Sequence, residues 1–241
     1  MEPMTGRAVF EGLGGPGFRE ILGGGFGAEI IYSFVIIICS LMIYFGTKEI
    51  YELSSYKGIK YFRKAFLFFA IAYFFRSFIK FIMMYFNLRE IFEFSPGFFG
   101  GFTLFLFMYF SAMAMFYLLY SIVWRKWSIN ANKIYIAHGL ALIIAVTSIT
   151  IRNYLVYFGI NILLLAFIVF VVYAAYKNQK NKLKSHNLYA VYLMLFVFWI
   201  FNIIDILVPN FLQTFKLLIY LISSGIFLLI LYKVLKKAGA N

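Results

Sequence analysis

The sequence predicts an all-α polytopic membrane protein of seven transmembrane helices, with its N-terminus outside and its C-terminus in the cytoplasm. Three observations lead there. Of the 241 residues, 64% are hydrophobic. The apolar residues fall into seven runs divided by charged or turn-forming breaks. The basic residues crowd into alternate breaks. A soluble domain is roughly 45–50% apolar, and with a mean hydropathy of +0.89 this chain has more apolar surface than a soluble interior can hide. A hydrocarbon core about 30 Å thick takes roughly 20 apolar residues per helix, so seven crossings leave only short loops.

The runs lie at 29–47, 62–86, 98–124, 134–151, 154–176, 188–208 and 214–235. Lys48 to Lys60 separates the first two, Asn87 to Gly97 the next, then Arg125 to Lys133, Arg152-Asn153, Lys177 to Asn187 and Pro209 to Gln213. Only Arg152-Asn153 parts the fourth run from the fifth, and the two together are too long for one crossing. Three parts follow: a glycine-rich external segment at 1–28, one seven-helix domain at 29–235, and a short basic cytoplasmic tail at 236–241. The external segment has nine glycines from Gly6 to Gly27 and no apolar core of a cleavable signal peptide. It is either a flexible leader or a cap over the outer mouth.

Orientation follows from where lysine and arginine stand. The first, third and fifth breaks and the tail, with their span ends, hold 15 of them, from Lys48 to Lys237, against five on the other side: Arg7, Arg19, Arg89, Arg152 and Lys216. This asymmetry puts the tail inside a multi-pass cell-membrane protein and explains the net charge of +13 without a nucleic-acid partner. Anionic lipid heads face those loops, and Trp124-Arg125-Lys126-Trp127 has the composition of an interfacial anchor. The single cysteine, Cys39, falls within the first span and is expected to pack as a small apolar residue.

Ionisable groups within hydrocarbon are costly, and they mark either function or a structural tie. The second span carries Arg76 and Lys80, four apart on one helix face with Tyr73. At 1.5 Å per residue, Arg76 stands about 21 Å from the inner end of its span. Asp205 in the sixth span reaches a similar depth, with Asn202 on its face. Asn161 in the fifth span, and Lys216 and Tyr220 in the seventh, add polar groups toward the outer mouth; Glu29 heads the first span. Two readings stay open. The groups form an outward-facing, positively biased pocket for a small anionic or zwitterionic ligand. Alternatively Asp205 ties the sixth helix to the second through Arg76, and Lys80 reaches the headgroups. If they pair in a buried site, Asp205→Asn strands Arg76 and destabilises the bundle by a few kcal/mol.

The inner half offers less. His138 is followed by Ala141, Ala145 and Ser148 on one face, a spacing that lets helices approach closely, and the histidine is expected to be packed. The chain has no paired intramembrane carboxylates, no Glu/His cluster suited to a metal and no Gly-x-Ser-x-Gly element. It is expected not to be an enzyme.

The seven spans, external N-terminus and three-one-three division resemble the topology of the broad class that includes microbial rhodopsins and SWEET-type transporters. A shift of 126 residues lays Tyr73 over Trp199 and Arg76 over Asn202, as two parallel three-helix repeats require. The resemblance to rhodopsins implies a lysine midway along the seventh helix for retinal. Here that stretch reads Leu221-Ile222-Ser223-Ser224-Gly225, and Lys216 lies near its outer end, so no retinal and no other cofactor is expected. The resemblance to SWEET-type transporters implies kinking prolines, whereas Pro3, Pro16, Pro96 and Pro209 all lie outside the spans. The function expected is a seven-helix sensor or receptor-like protein that acts through a cytoplasmic or membrane partner. A small-solute transporter or channel built from two repeats is the first alternative, and an accessory subunit without a ligand of its own is the second.

Overall fold

Lipid supplies no hydrogen bonds, so a chain this apolar must satisfy its backbone internally, as α-helices do. The computed structural model describes residues 26–85, 96–127, 131–150, 154–180, 189–207 and 213–237, all helix or short connection, with no strand among them. The helices are α1 (Phe26–Gly46), a short α2 (Lys48–Ser54), α3 (Lys57–Tyr85), α4 (Pro96–Trp127), α5 (Ala131–Thr150), α6 (Tyr154–Lys180), α7 (Tyr189–Leu207) and α8 (Gln213–Lys237). The seven long helices coincide with the seven apolar runs. Several extend past them, because a helix continues through the headgroup zone once started: α3 begins five residues early and α4 runs on to Trp127. Residues 26–28, grouped by sequence with the external segment, form the first turn of α1, and the tail's Lys236 and Lys237 close α8. The rest of 1–28 and of 236–241 lies outside the described residues.

Five of the described helical stretches are long and apolar enough to cross a membrane: Gly27–Ser54, Gly101–Trp124, Asn132–Thr150, Leu155–Lys177 and Thr214–Lys236. α7 is apolar over a shorter length, Tyr189–Asp205. α3 carries Lys57, Lys60, Arg63, Lys64, Arg76 and Lys80. Both pack in the same bundle as the other five.

Neighbouring helices follow chain order. α1 packs on α3, α3 on α4, α4 on α6, α6 on α7 and α7 on α8, and α8 returns to α1. α5 lies outside this ring against α4, joining the first three long helices to the last three. Its contact face is Ala141, Ala145 and Ser148, all buried, the small-residue face read from the sequence. Ser111, Ala114 and Ser121 are likewise buried on α4.

The ring is filled by aromatic and sulfur side chains. Phe66, Phe69, Phe198, Phe227, Met108 and Met113 are fully buried, and Phe198 meets Phe227 at 4.6 Å between ring centroids. Outward, the helices present apolar residues in place of charge. On α1, Ile31, Phe34, Ile38, Met42 and Phe45 are exposed while Tyr32, Ile36, Cys39 and Ile43 are buried. An exposed apolar stripe of this length marks a surface that meets lipid.

The two ends of the bundle differ. At one, α3 and α4 approach closely: a Cβ on Gly58 would stand 2.8 Å from Trp124 Nε1 and 2.9 Å from the Ser121 carbonyl oxygen, so only glycine fits. The preceding turn holds Ser55 at φ 49°, in the left-handed region, with its N–H donating to the Tyr51 carbonyl and closing α2. The other end carries Glu29, Arg76 and Asp205.

Candidate functional site

Arg76 lies on the sixth turn of α3. A lone guanidinium in hydrocarbon must find acceptors, and Arg76 finds two. Its Nε donates to Glu29 Oε1 on α1 at 3.2 Å, and its Nη2 to Asp205 Oδ2 on α7 at 3.4 Å. The three side chains keep 18%, 15% and 12% of their surface exposed, so the cluster sits in the wall of the ring near its end. The guanidinium also lies over the rings of Phe107, 5.3 Å from the centroid, and Tyr73, 5.8 Å. A cation over an aromatic face gains about 0.5–2 kcal/mol.

One turn deeper is a neutral polar layer. The Tyr73 hydroxyl donates to Asn202 Oδ1 at 2.9 Å. The Tyr32 hydroxyl lies 3.2 Å from that of Tyr73 and 3.3 Å from the same Asn202 oxygen, and can donate to either. Asn202 Nδ2 donates to the Phe198 carbonyl at 3.0 Å. Tyr220 of α8 stacks on Tyr32 at 4.8 Å and 17°. α1, α3, α7 and α8 thus all contribute to one site of two layers, charged above and neutral below. Asp205 Oδ1 is buried, and the Tyr220 hydroxyl lies within interaction range of the Asp205 carboxylate.

Below these layers the interior is mainly aromatic, with buried hydroxyls at Ser40, Ser111 and Ser223. Tyr73 meets Phe198 at 6.2 Å, and Phe66, Phe69, Phe198 and Phe227 close the core. The next buried polar pair toward the other end is Ser121 with Tyr192, hydroxyls 2.7 Å apart.

The sequence expectations meet this geometry unevenly. Arg76, Asp205, Asn202, Tyr73 and Tyr220 come together. Lys80 is on α3 one turn beyond Arg76, with its side chain outside the described residues. Lys216 is half-buried one turn before Tyr220 on α8. Asn161 belongs elsewhere: its side chain donates to the Tyr157 carbonyl of its own helix at 2.9 Å, and its carbonyl accepts from Trp199 Nε1 at 3.4 Å. It sits in the α6–α7 seam, at the right depth but on a different face. Glu29 adds a second carboxylate to the site beside Asp205. Removing Asp205 therefore does not strand Arg76, which keeps Glu29.

The sequence reading missed Tyr32, and it set Glu29 at the outer mouth without pairing it to Arg76. They stand three apart on one face of α1, and the only trace in the sequence is that Glu29 is the one acid at the head of the first span.

No family model matches the chain, and no solved structure matches it. An uncharacterised protein of Archaeoglobus fulgidus is 32% identical to it over 139 residues, which is 54% of this chain. The chain spans 57% of that relative's length.

Proposed function

We propose that this membrane protein is a seven-helix sensor whose ligand-responsive element is the ion-pair cluster Glu29–Arg76–Asp205, and that it takes a small zwitterion there. The observation that carries the reading is that one partly accessible guanidinium is shared by carboxylates from two different helices, α1 and α7. A simple anion must compete with both carboxylates for Arg76. A zwitterion brings its own cation: its carboxylate takes Arg76 while its ammonium takes Asp205 or Glu29. That exchange loosens the link between α1, α3 and α7, and a ligand shifts a helix arrangement only through such a difference in contacts.

The excess of basic residues on alternate breaks supports a cytoplasmic C-terminus, which turns the cluster to the outer side of a cell membrane and the basic loops toward a cytoplasmic or membrane partner. The packed rings of Phe66, Phe69, Phe198 and Phe227 beneath the cluster, broken by single serine hydroxyls, support sensing over transport, because a solute path needs a continuous polar route. No catalytic chemistry is proposed.

Thermal unfolding of the purified chain in nanodiscs, titrated with glycine betaine and with the free amino acids, tests the reading. The expected result is saturable stabilisation by at least one zwitterion, absent in Arg76→Gln. Stabilisation by acetate alone, or by none of these probes, contradicts it.

A further inference from the structure

A second feature lies on the lipid side of the bundle. Between α4 and α5 is an open, largely apolar cavity of about 330 Å³, lined in part by Phe105, Tyr109, Phe110, His138, Gly139 and Leu142. That volume is at the lower end of small-molecule sites. α5 buries only one face, and Leu140, Leu142 and Ile143 beside the cavity are exposed, so a molecule enters from the bilayer.

The cavity has one polar handle. The Tyr109 hydroxyl is 2.7 Å from His138 Nδ1, the packing partner that the sequence left unnamed. A neutral imidazole has one donor and one acceptor nitrogen, so whichever role Nδ1 takes, Nε2 takes the other. If Tyr109 donates, Nε2 carries a proton and presents a donor; if Tyr109 accepts, Nε2 presents an acceptor. The half-buried His138 has Tyr109 as its hydrogen-bond partner and Lys64 near enough to act on its charge, and a polar nitrogen in an apolar wall gains from a hydrogen-bonding ligand. An acyl chain offers no such bond.

The walls narrow the choice of ligand. Phe105 and Tyr109 lie nearly parallel, at 10° with centroids 6.4 Å apart, and Phe110 stands edge-on to Tyr109 at 5.2 Å. Gly139 opens the α5 side, where an added Cβ meets nothing within 4 Å. A flat ring is accommodated against such walls by offset stacking. We propose that the α4–α5 groove binds a lipid-soluble quinone, with His138, oriented by Tyr109, hydrogen-bonding a ring oxygen. A quinone carbonyl accepts from the Nε2 proton, and the hydroxyl of the reduced ring donates to Nε2 in the other tautomer, so one residue pair serves both forms. The site is separate from the Arg76 cluster.

Equilibrium binding of decylubiquinone to the chain in phosphatidylcholine nanodiscs is the test. Lipid ester carbonyls are then present in excess, and decylbenzene serves as a competitor without ring oxygens. The expected result is saturable binding that decylbenzene does not displace. His138→Phe should weaken it by about tenfold, the loss of one hydrogen bond. Gly139→Leu fills the groove at a position with open space and should abolish it; it reads the site independently if His138→Phe fails to fold. Unsaturable partitioning alike in wild type and Gly139→Leu, or full displacement by decylbenzene, overturns the proposal.

Discussion

Arg76 Nη2 meets Asp205 Oδ2 at 3.4 Å, joining α3 to α7 from opposite halves of the chain. The same guanidinium holds Glu29 at 3.2 Å, so its loss and the loss of either acid are different events. Arg76→Gln removes the cation that two largely buried carboxylates share and should cost about 3–5 kcal/mol. Asp205→Asn and Glu29→Gln each leave Arg76 one carboxylate and should cost about 1–3 kcal/mol. Unfolding in detergent measures all three, and equal losses would mean that the arginine is not shared.

The neutral layer gives a second ordering. Tyr73→Phe removes one donor from Asn202 Oδ1 while Tyr32 can still reach it, at an expected cost of about 0.5–1.5 kcal/mol. Asn202→Leu leaves both buried hydroxyls without that acceptor and should cost more, about 1–3 kcal/mol. The same unfolding measurement decides the order, and a harmless Asn202→Leu would remove the layer from the account.

How much of this was legible can be argued from single residues. Arg76 and Asp205 stood out because charge is rare in apolar runs, and counting 1.5 Å per residue put them at one depth. Seven helices followed from run length alone. What could not be read was rotation about each helix axis. In a soluble helix the polar face reports it, but a lipid-facing surface is as apolar as the core, and that signal is lost. Asn161 therefore shared the cluster's depth and was assigned to it, although its side chain turns to its own helix. Glu29 was visible as an acid, but nothing in the sequence said that α1 places it against α3.

The glycines at the Trp124 end make a further prediction about packing. An alanine at Gly58 must displace the Ser121 backbone oxygen and the Trp124 ring, whereas one at Gly46 meets only the flexible tip of Leu235, at 2.6 Å. Gly58→Ala should cost about 1–3 kcal/mol and Gly46→Ala clearly less. Thermal unfolding of the two variants compares them, and the reverse order would contradict the close approach of α3 to α4.

The central claim is that the polar cluster opens to the outer aqueous phase. Cys39 is the single cysteine and is buried at 2% exposure, so a Cys39→Ala background is available for labelling. The most direct measurement is the reaction of Lys216→Cys, half-buried one turn before Tyr220, with a membrane-impermeant thiosulfonate added to intact cells, alongside Glu52→Cys, exposed on α2 at the opposite end. The account predicts that Lys216→Cys is labelled from outside and Glu52→Cys is not. Labelling of Glu52→Cys from outside, or of Lys216→Cys only from the cytoplasmic side of inverted vesicles, would contradict it.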